Sequence, residues 1–310
     1  MKISEILSKK DKAFLSLEIV PPLKGITKDE LIRNIAPLME FNPPYINVTN
    51  HRDEFEFRPL EDGSYSRHLV RRRVSETAVC SVIQDNFKLE VVPHVICGGY
   101  TADEIRSQLE DFRFMGIGNI MALRGDCITG EKRFTAMPGG FRYASELVEA
   151  IRRDERDREL QESFCIGIGA YPEKHFEAPN IETDILNLKK KVDAGADYII
   201  TQMFFDNKDF YSFRDRCLEA GIKVPIIPGL KPLSTANQIG QLPEAFSINI
   251  PVELTDEMMA HANDKQACYQ IGQEWCTAQC KDLLSHGVPA IHFYTMGKAS
   301  NVIKVIRECF

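Results

Sequence analysis

Eight short runs rich in β-branched and aromatic residues alternate with helix-forming segments from one end of the chain to the other. That alternation leaves few folds open. The runs are FLSLEIV (14–20), YINVTN (45–50), VVPHVIC (91–97), NIMALRG (119–125), FCIGIGAY (164–171), YIITQMFF (198–205), PIIPGL (225–230) and AIHFYTM (290–296). Segments such as TKDELIRNIAPLMEF, TADEIRSQLEDFRFMG and IETDILNLKKKVDAG separate them, each opening on a threonine cap or an acidic first turn, two of them closing on glycine. Repeated βα units build a parallel sheet, and eight of them in about 280 residues suit a closed (β/α)8 barrel better than an open sheet. No Pro/Gly/Ser linker divides the chain, so one α/β domain spanning residues 1–310 is expected. Two segments fit the repeat poorly. Residues 241–265 are irregular and should add a turn or short helix before a long final pair. Residues 51–67, charged and carrying a Gly-Ser, read as a long loop after the second strand.

With 310 residues, 44% of them hydrophobic, the chain can bury a large core. A formal charge of −7 argues against a nucleic-acid partner, which needs clustered cations to neutralise phosphates. The one basic cluster, Arg71, Arg72 and Arg73, reads as a solvated helix face, with a local anion or partner contact as the alternative. Nine cysteines are scattered without the paired spacing of a secreted disulfide framework, and they read as reduced intracellular thiols. Cys276 and Cys280 lie four apart on a predicted helix. No second pair with zinc-ligand spacing accompanies them, so no metal is expected. The opening MKISEILSKKDKAF has no apolar targeting core, and nowhere do 18 apolar residues run together, which predicts an untargeted cytoplasmic protein without a membrane span.

In a barrel the active site is built at the C-terminal ends of the strands, which makes the polar residues there the ones to examine. Glu18 lies in SLEIVPP between apolar neighbours. Burial would favour its neutral form and suit it to general acid work; the alternative is a carboxylate neutralised by a nearby Arg or Lys. Thr49 and Asn50 end the second run. His94, alone in an apolar strand, would by default be a hydrogen-bonded core histidine. Arg124, Gly125 and Asp126 end the fourth: the glycine admits a ligand to the backbone, and the flanking charges either bind that ligand or pair with one another. YPEKH (171–175) follows the fifth run, and Asp184, Asn187 and Lys191, at i, i+3 and i+7, share a helix face suited to a phosphate and its sugar or simply to solvent. Gln202 places an amide among apolar side chains and must meet a ligand or a barrel neighbour. The generic nucleotide and hydrolase motifs, GxxxxGK[ST], the complete Rossmann turn, GxSxG and HExxH, do not occur.

LEIVPPLKG, PHVIC, NIMALRGD, YASELV, AYPEKH, DILNLKKKVDAGADYIITQMFFD, PIIPGLKPLS and HFYTM occur in an order and spacing that resembles the methylenetetrahydrofolate reductases over nearly the whole chain. The likeness is to the bacterial catalytic barrel alone, without the extra C-terminal domain of the eukaryotic enzymes. It implies FAD held without a Rossmann motif, NADH or NADPH as donor, methylenetetrahydrofolate as acceptor, and ping-pong transfer through the flavin in one-carbon metabolism and methionine biosynthesis. It implies that Glu18 is the general acid that opens the folate's imidazolidine ring, and that Asp126 lies between flavin and pterin. The cofactor contacts it implies are Thr49, His94, Arg124, Gly125, Asp126, Tyr143, Ala144, Tyr171, His175, Ala178, Asp184, Asn187, Lys190 and Lys191. Gln202, Gln238 and Lys298, with Asp126, would face the substrates.

The chain departs from the family pattern in four places. Asn50, His51 and Arg52 follow Thr49 in place of a Tyr-Gly-Ala turn. Lys298 stands for an Arg that contacts folate and cannot reproduce its bidentate grip. Leu242 replaces an aromatic near the substrate, and Lys190 replaces an Arg while keeping its charge. Neither a ribose-binding acid nor a 2′-phosphate arginine can be placed, so both nicotinamide donors stand, and the family leaves room for a homo-oligomer. The rival readings are a cobalamin-linked methyltransferase barrel, another flavoenzyme barrel such as proline dehydrogenase, and a binding module. A yellow protein bleached by NADH separates the first reading from all three.

Overall fold

The structure, a computed structural model, describes residues 1–9, 12–128, 131 and 133–310. Eight parallel strands close into a barrel: β1 (Phe14–Ile19), β2 (Tyr45–Val48), β5 (Glu90–Ile96), β6 (Asn119–Leu123), β7 (Cys165–Ala170), β8 (Tyr198–Met203), β9 (Ile226–Leu230) and β10 (Ala290–Tyr294). They follow chain order around the ring, and β10 pairs back onto β1 with Phe14 opposite Ala290 and Glu18 opposite Tyr294. All eight coincide with the runs read from the sequence. The closed (β/α)8 barrel is therefore the observed fold.

Helices α2 (Lys28–Ile35), α3 (Glu76–Phe87), α4 (Ala102–Phe114), α5 (Ala144–Asp157), α6 (Ile181–Asp193), α7 (Asn207–Glu219), α10 (Lys265–Ser285) and α11 (Ser300–Cys309) surround the strands. Their starts are chemically specified. Thr27 and Thr101 each form a reciprocal capping box with the glutamate three residues on, and Asn180 caps α6 by accepting from Thr183 N at 2.8 Å. The region 241–265 holds two short helices, α8 (Gln238–Phe246) and α9 (Val252–Ala260), ahead of the long final pair.

Strand side chains alternate between two environments. One set, including Leu15, Leu17, Ile46, Val48, Val91 and Val95, packs outward against the helices. The other fills the lumen. At its base lie Phe14, Tyr45, Val92, Met121, Cys165, Tyr198 and Ala290, sealed from below by Ile3 and Ile6 of α1 (Ile3–Lys9). Two residues further along β1, β2 and β10 the same inward face carries Ser16, Asn47 and His292, all buried. The lumen thus turns from apolar to polar toward the C-terminal ends of the strands. Among the described residues no helix is long and apolar enough to cross a membrane.

Residues 51–67 are not the open loop expected. They carry most of an antiparallel hairpin, β3 (Glu54–Pro59) and β4 (Tyr65–Val70), in the register Glu54↔Val70 to Pro59↔Tyr65. The alternation of Phe55 and Phe57 with charged residues is the strand signal, and Asp62 Oδ1 shapes the turn by accepting from Ser64 N at 2.9 Å. The arginine cluster is likewise no helix face. It continues extended from β4: Arg71 and Arg72 bridge to Asp53 and Glu54 at the hairpin base, and Arg73 donates to Pro21 O at 2.8 Å. These contacts tie the hairpin to the segment that follows β1.

The lumen is filled without slack at Gly167. A Cβ there would meet the buried Tyr198 ring at 2.4 Å, whereas one on Gly118 would meet nothing within 4 Å. Gly167→Ala should lower the urea midpoint, with a cost of about 1–3 kcal/mol for forced repacking, and Gly118→Ala should leave it nearly unchanged. Equal midpoints for the two variants would contradict this packing.

Candidate active site

Glu18 is the third inward residue of β1, after Phe14 and Ser16, and it ends in the polar part of the lumen. Its Oε2 lies 3.7 Å from His94 Nε2 and 3.9 Å from His292 Nε2. Ser16 Oγ and His292 Nδ1 share a 2.9 Å hydrogen bond, and Asn47 Nδ2 reaches Ser16 Oγ at 3.4 Å. Thr295 Oγ1 donates to Glu18 O at 2.7 Å, fixing the strand above. The Glu18 side chain keeps 12% exposure, enough for a ligand to touch it.

Burial pushes the Glu18 carboxyl upward, but the imidazole of His292, with the charges of His94 and His51, pulls it down, and the net lies below the ordinary carboxylate range. This corrects both sequence readings. The carboxyl is not raised, and its neighbours are histidines where Arg or Lys was the alternative. Burial also pushes His94 down to about 4, so at neutral pH that ring is uncharged. His94 is a core histidine, and it also faces Glu18.

His51 connects the two candidate carboxylates. Its imidazole accepts or donates to Thr49 Oγ1 at 3.0 Å, and Asp126 and Glu18 both raise its pKa against the larger lowering by burial and Arg73. Asp126 is exposed in the loop after β6 and acts electrostatically on Tyr171 too, whose hydroxyl burial pushes up to about 12. Glu18 and Asp126 therefore share one end of the barrel.

The flank between β6 and α6 is a connected polar network. Arg124 bridges to Glu177, not to Asp126, and its second nitrogen lies 3.3 Å from His175 Nε2. Gly125 has φ +82°, and an added Cβ would meet Ile96 Cβ at 3.2 Å, so only glycine lets the chain turn so close to β5. The Tyr171 and His175 rings meet edge to face at 4.7 Å. Asp184 Oδ2 accepts from His175 N at 2.8 Å, which locks the loop after β7 onto the first turn of α6. Ala178, buried, closes the same loop by donating its N to His175 O at 3.0 Å. Lys191 donates to Gly169 O at 2.5 Å and makes no ion pair among the described residues. Burial pushes its ammonium down to about 8. Asn187 and Lys190 are exposed and joined at 3.2 Å. Tyr143, 52% exposed, precedes Ala144 at the start of α5, where Glu146 accepts from Tyr143 N.

On β8, which pairs with β7, Gln202 turns its Oε1 onto Met203 N at 2.9 Å, so the backbone of its own strand satisfies its acceptor. Gln238 Oε1 accepts from Ser234 N and Thr235 N at 2.7 and 3.2 Å and holds the turn before α8. Lys298 is exposed after β10. Leu242 does not face this space. It is 6% exposed and packs with Met203, Phe205 and Leu233 beneath α8.

Several residues of the site escaped the sequence reading. His292, Ser16 and Tyr294 sit on β10 and β1 facing Glu18, and Tyr294 donates to Thr201 O at 2.7 Å. The period-two spacing of His292 and Tyr294 was the available signal. Glu173 Oε2 accepts from Asn249 N at 2.6 Å, joining the loop after β7 to the α8–α9 connection; burial pushes that carboxyl up to about 7. Among the described residues no three His, Cys, Asp or Glu side chains converge as a metal site. The arrangement can hold and move a proton at the lumen, and it offers the Lys191 ammonium, which makes no direct ion pair among the described residues, to an anionic ligand at its rim.

The family described as methylenetetrahydrofolate reductase matches residues 2–309. The Escherichia coli protein named 5,10-methylenetetrahydrofolate reductase is 33% identical over 285 residues, covering 92% of this chain and 86% of its own. A Schizosaccharomyces pombe protein named methylenetetrahydrofolate reductase 1 is 31% identical over 312 residues, but this chain spans only 48% of its length. A solved structure described as an uncharacterized Clostridium thermocellum protein that binds two copies of 5-methyl-5,6,7,8-tetrahydrofolic acid superposes with TM-score 0.60 over 99% of this chain and 97% of that one, at 14% identity. At that identity the likeness speaks for the barrel alone.

The depressed His94 predicts acid sensitivity. Unfolded, this histidine binds a proton below about 6.5; folded, it does so only below about 4, so the unfolded chain holds more protons between those values. Stability should therefore fall as pH drops from 6.5 toward 4, by on the order of 3 kcal/mol from this residue. His94→Gln should flatten that part of a urea-midpoint profile. An unchanged slope would show that His94 is not the group responsible.

Proposed function

This chain belongs to the methylenetetrahydrofolate reductase family, and from that premise we propose that it reduces 5,10-methylenetetrahydrofolate to 5-methyltetrahydrofolate with electrons from NADH or NADPH. The electrons pass through bound FAD in a ping-pong cycle that serves one-carbon metabolism and methionine biosynthesis. The observation that carries this reading is Glu18, a ligand-accessible carboxylate set among imidazoles in the lumen, with Asp126 beyond His51 at the same end.

The residues present fit the cofactor. Gly125, turned close against Ile96, sets the loop that carries Asp126 at the mouth. The Lys191 ammonium donates to a carbonyl and makes no ion pair among the described residues, with Asp184 acting on it electrostatically, which suits a diphosphate, and Asn187 and Lys190 lie on the same helix toward a ribose and its phosphates. Arg124, Tyr171, His175, Ala178 and Asp184 shape the pocket wall between them, Tyr143 and Ala144 border it at the start of α5, and Thr49 with His94 closes the lumen side. Bound there, FAD would supply the hydride relay between the nicotinamide and the folate's one-carbon unit.

The protein's own task is then proton transfer and alignment. Glu18 protonates the folate nitrogen that leaves when the imidazolidine ring opens, which requires its neutral form. Substrate lying over the carboxyl removes its remaining water and favours that form, so proton uptake accompanies binding. Asp126 accepts hydrogen bonds from the amino-pyrimidine edge of the folate. The amide NH2 groups of Gln202 and Gln238, whose oxygens are already engaged, are the donors toward either substrate. Lys298 meets the folate's carboxylate tail as a single point charge.

Anaerobic stopped-flow on Glu18→Gln separates the steps. The variant should bind FAD and be reduced by NADH at nearly the parental rate, while reoxidation by methylenetetrahydrofolate slows by about 10²–10⁴-fold. Parental reoxidation would remove Glu18 from the acid role. Asp126→Asn should slow reoxidation more than it weakens FAD binding, and equal loss of both would make Asp126 a structural residue.

A further inference from the structure

The outer wall formed by α10 and α11 carries four thiols; Cys268 turns toward α9, and the other three gather. Cys276 and Cys280 lie one turn apart on α10, both buried, and Cys309 of α11 comes against the same face, half-buried. Two contacts fix that meeting. Cys309 Sγ lies 3.9 Å from Thr277 O, and Thr277 shares a helix face with Cys280 three residues on; next to the pair, Lys281 Nζ reaches Glu308 Oε2 at 3.9 Å. Each of the Cys280 and Cys309 thiols acts on the other's ionisation. Beneath them Lys231, 4% exposed, has no carboxylate partner among the described residues, only Pro232 O at 3.5 Å, and its charge acts on Cys276.

We propose that Cys309 and Cys280 form a peroxide-responsive thiol pair whose disulfide ties α11 to α10. A reactive thiol needs three things: thiolate character, access, and a resolving thiol beside it. Cys309 has all of them. The Cys280 thiol beside it, and then Lys281, lower its pKa against upward pushes from burial and Glu308. Cys280 is correspondingly raised, first by Cys309 and then by burial, so it keeps its proton. Cys276 is raised by burial and by Cys309, and stays a thiol behind the pair.

The chemistry balances with hydrogen peroxide as oxidant. The Cys309 thiolate attacks one peroxide oxygen; the O–O bond breaks, leaving Cys309 sulfenic acid and hydroxide. Cys280 sulfur then attacks the sulfenic sulfur, its S–H proton leaves with the hydroxyl as water, and the disulfide forms. Two thiols are oxidised by two electrons and one peroxide is reduced to two waters. A thiol reductant reverses it.

The test is a peptide-level disulfide analysis of the whole protein, cofactor-loaded, after brief treatment with hydrogen peroxide and quenching by alkylation under denaturing conditions. The expected result is a cross-linked peptide containing Cys280 and Cys309, two hydrogens lighter than its reduced parts, that disappears with dithiothreitol. Cys280→Ser should instead trap Cys309 as a dimedone-reactive sulfenic acid. The proposal is overturned if Cys309 reacts no faster than the remaining cysteines, if it pairs with Cys276 instead, or if the parent protein passes directly to sulfinic acid without a disulfide.

Discussion

A carboxylate enclosed in a barrel must be compensated by its neighbours, and the compensation chosen for Glu18 governs the rest of the site. An arginine or lysine would have formed a permanent ion pair and fixed the proton balance. Imidazoles do otherwise: His94 and His292 lie within 4 Å of the carboxyl, yet a ring such as His94, held near pH 4, exerts its pull only in acid. At neutral pH the carboxylate is solvated by the ligand-accessible mouth and by neutral hydrogen-bonding groups. Its protonation state thereby becomes sensitive to whatever lies over it. The polar tier of Ser16, Asn47 and His292 exists to support this arrangement, and the apolar tier below, closed by α1, keeps water from entering behind it.

The second consequence is geometric. Because β1, β2, β5 and β10 adjoin in the ring, residues distant in sequence converge: Glu18, His94 and His292 stand on β1, β5 and β10, and Thr49 just beyond β2. The cationic and aromatic wall comes from the opposite half, β6, β7 and α6, where the loop after β7 is fastened to Asp184. A planar ligand lying across the mouth would meet a proton-bearing side and an anion-binding side. Division of labour between the two halves is what a cofactor-dependent hydride transfer with an acid step requires.

The eight strands were legible because a barrel strand is buried on both faces and reads as a short apolar run bounded by turn residues. The hairpin at 54–70 was not, since its alternation is carried by Phe55 and Phe57 alone among charges that also suit a loop. The same cause hid the arginines: Arg71 and Arg72 are charged because they close that hairpin against Asp53 and Glu54. Within the site, Glu18 and Asp126 could be picked out near strand ends, whereas His94, inside its strand, read by default as a core histidine. The partners of these residues could not be picked out. That Arg124 pairs with Glu177 and not Asp126, and that the neighbours of Glu18 are histidines, depend on side-chain directions across four strands. Likewise, Cys276 and Cys280 announced themselves by spacing, but Cys309 joins them only because α11 folds back on α10.

The proposed function requires a flavin across the mouth that both substrates use in turn. An anaerobic titration of the purified protein, followed by its flavin absorbance, tests this directly. The expected result is bleaching by one equivalent of NADH or NADPH and full recovery on adding one equivalent of methylenetetrahydrofolate. A protein that carries no flavin, or whose bleached form stays bleached in the presence of that folate, would rule the reading out.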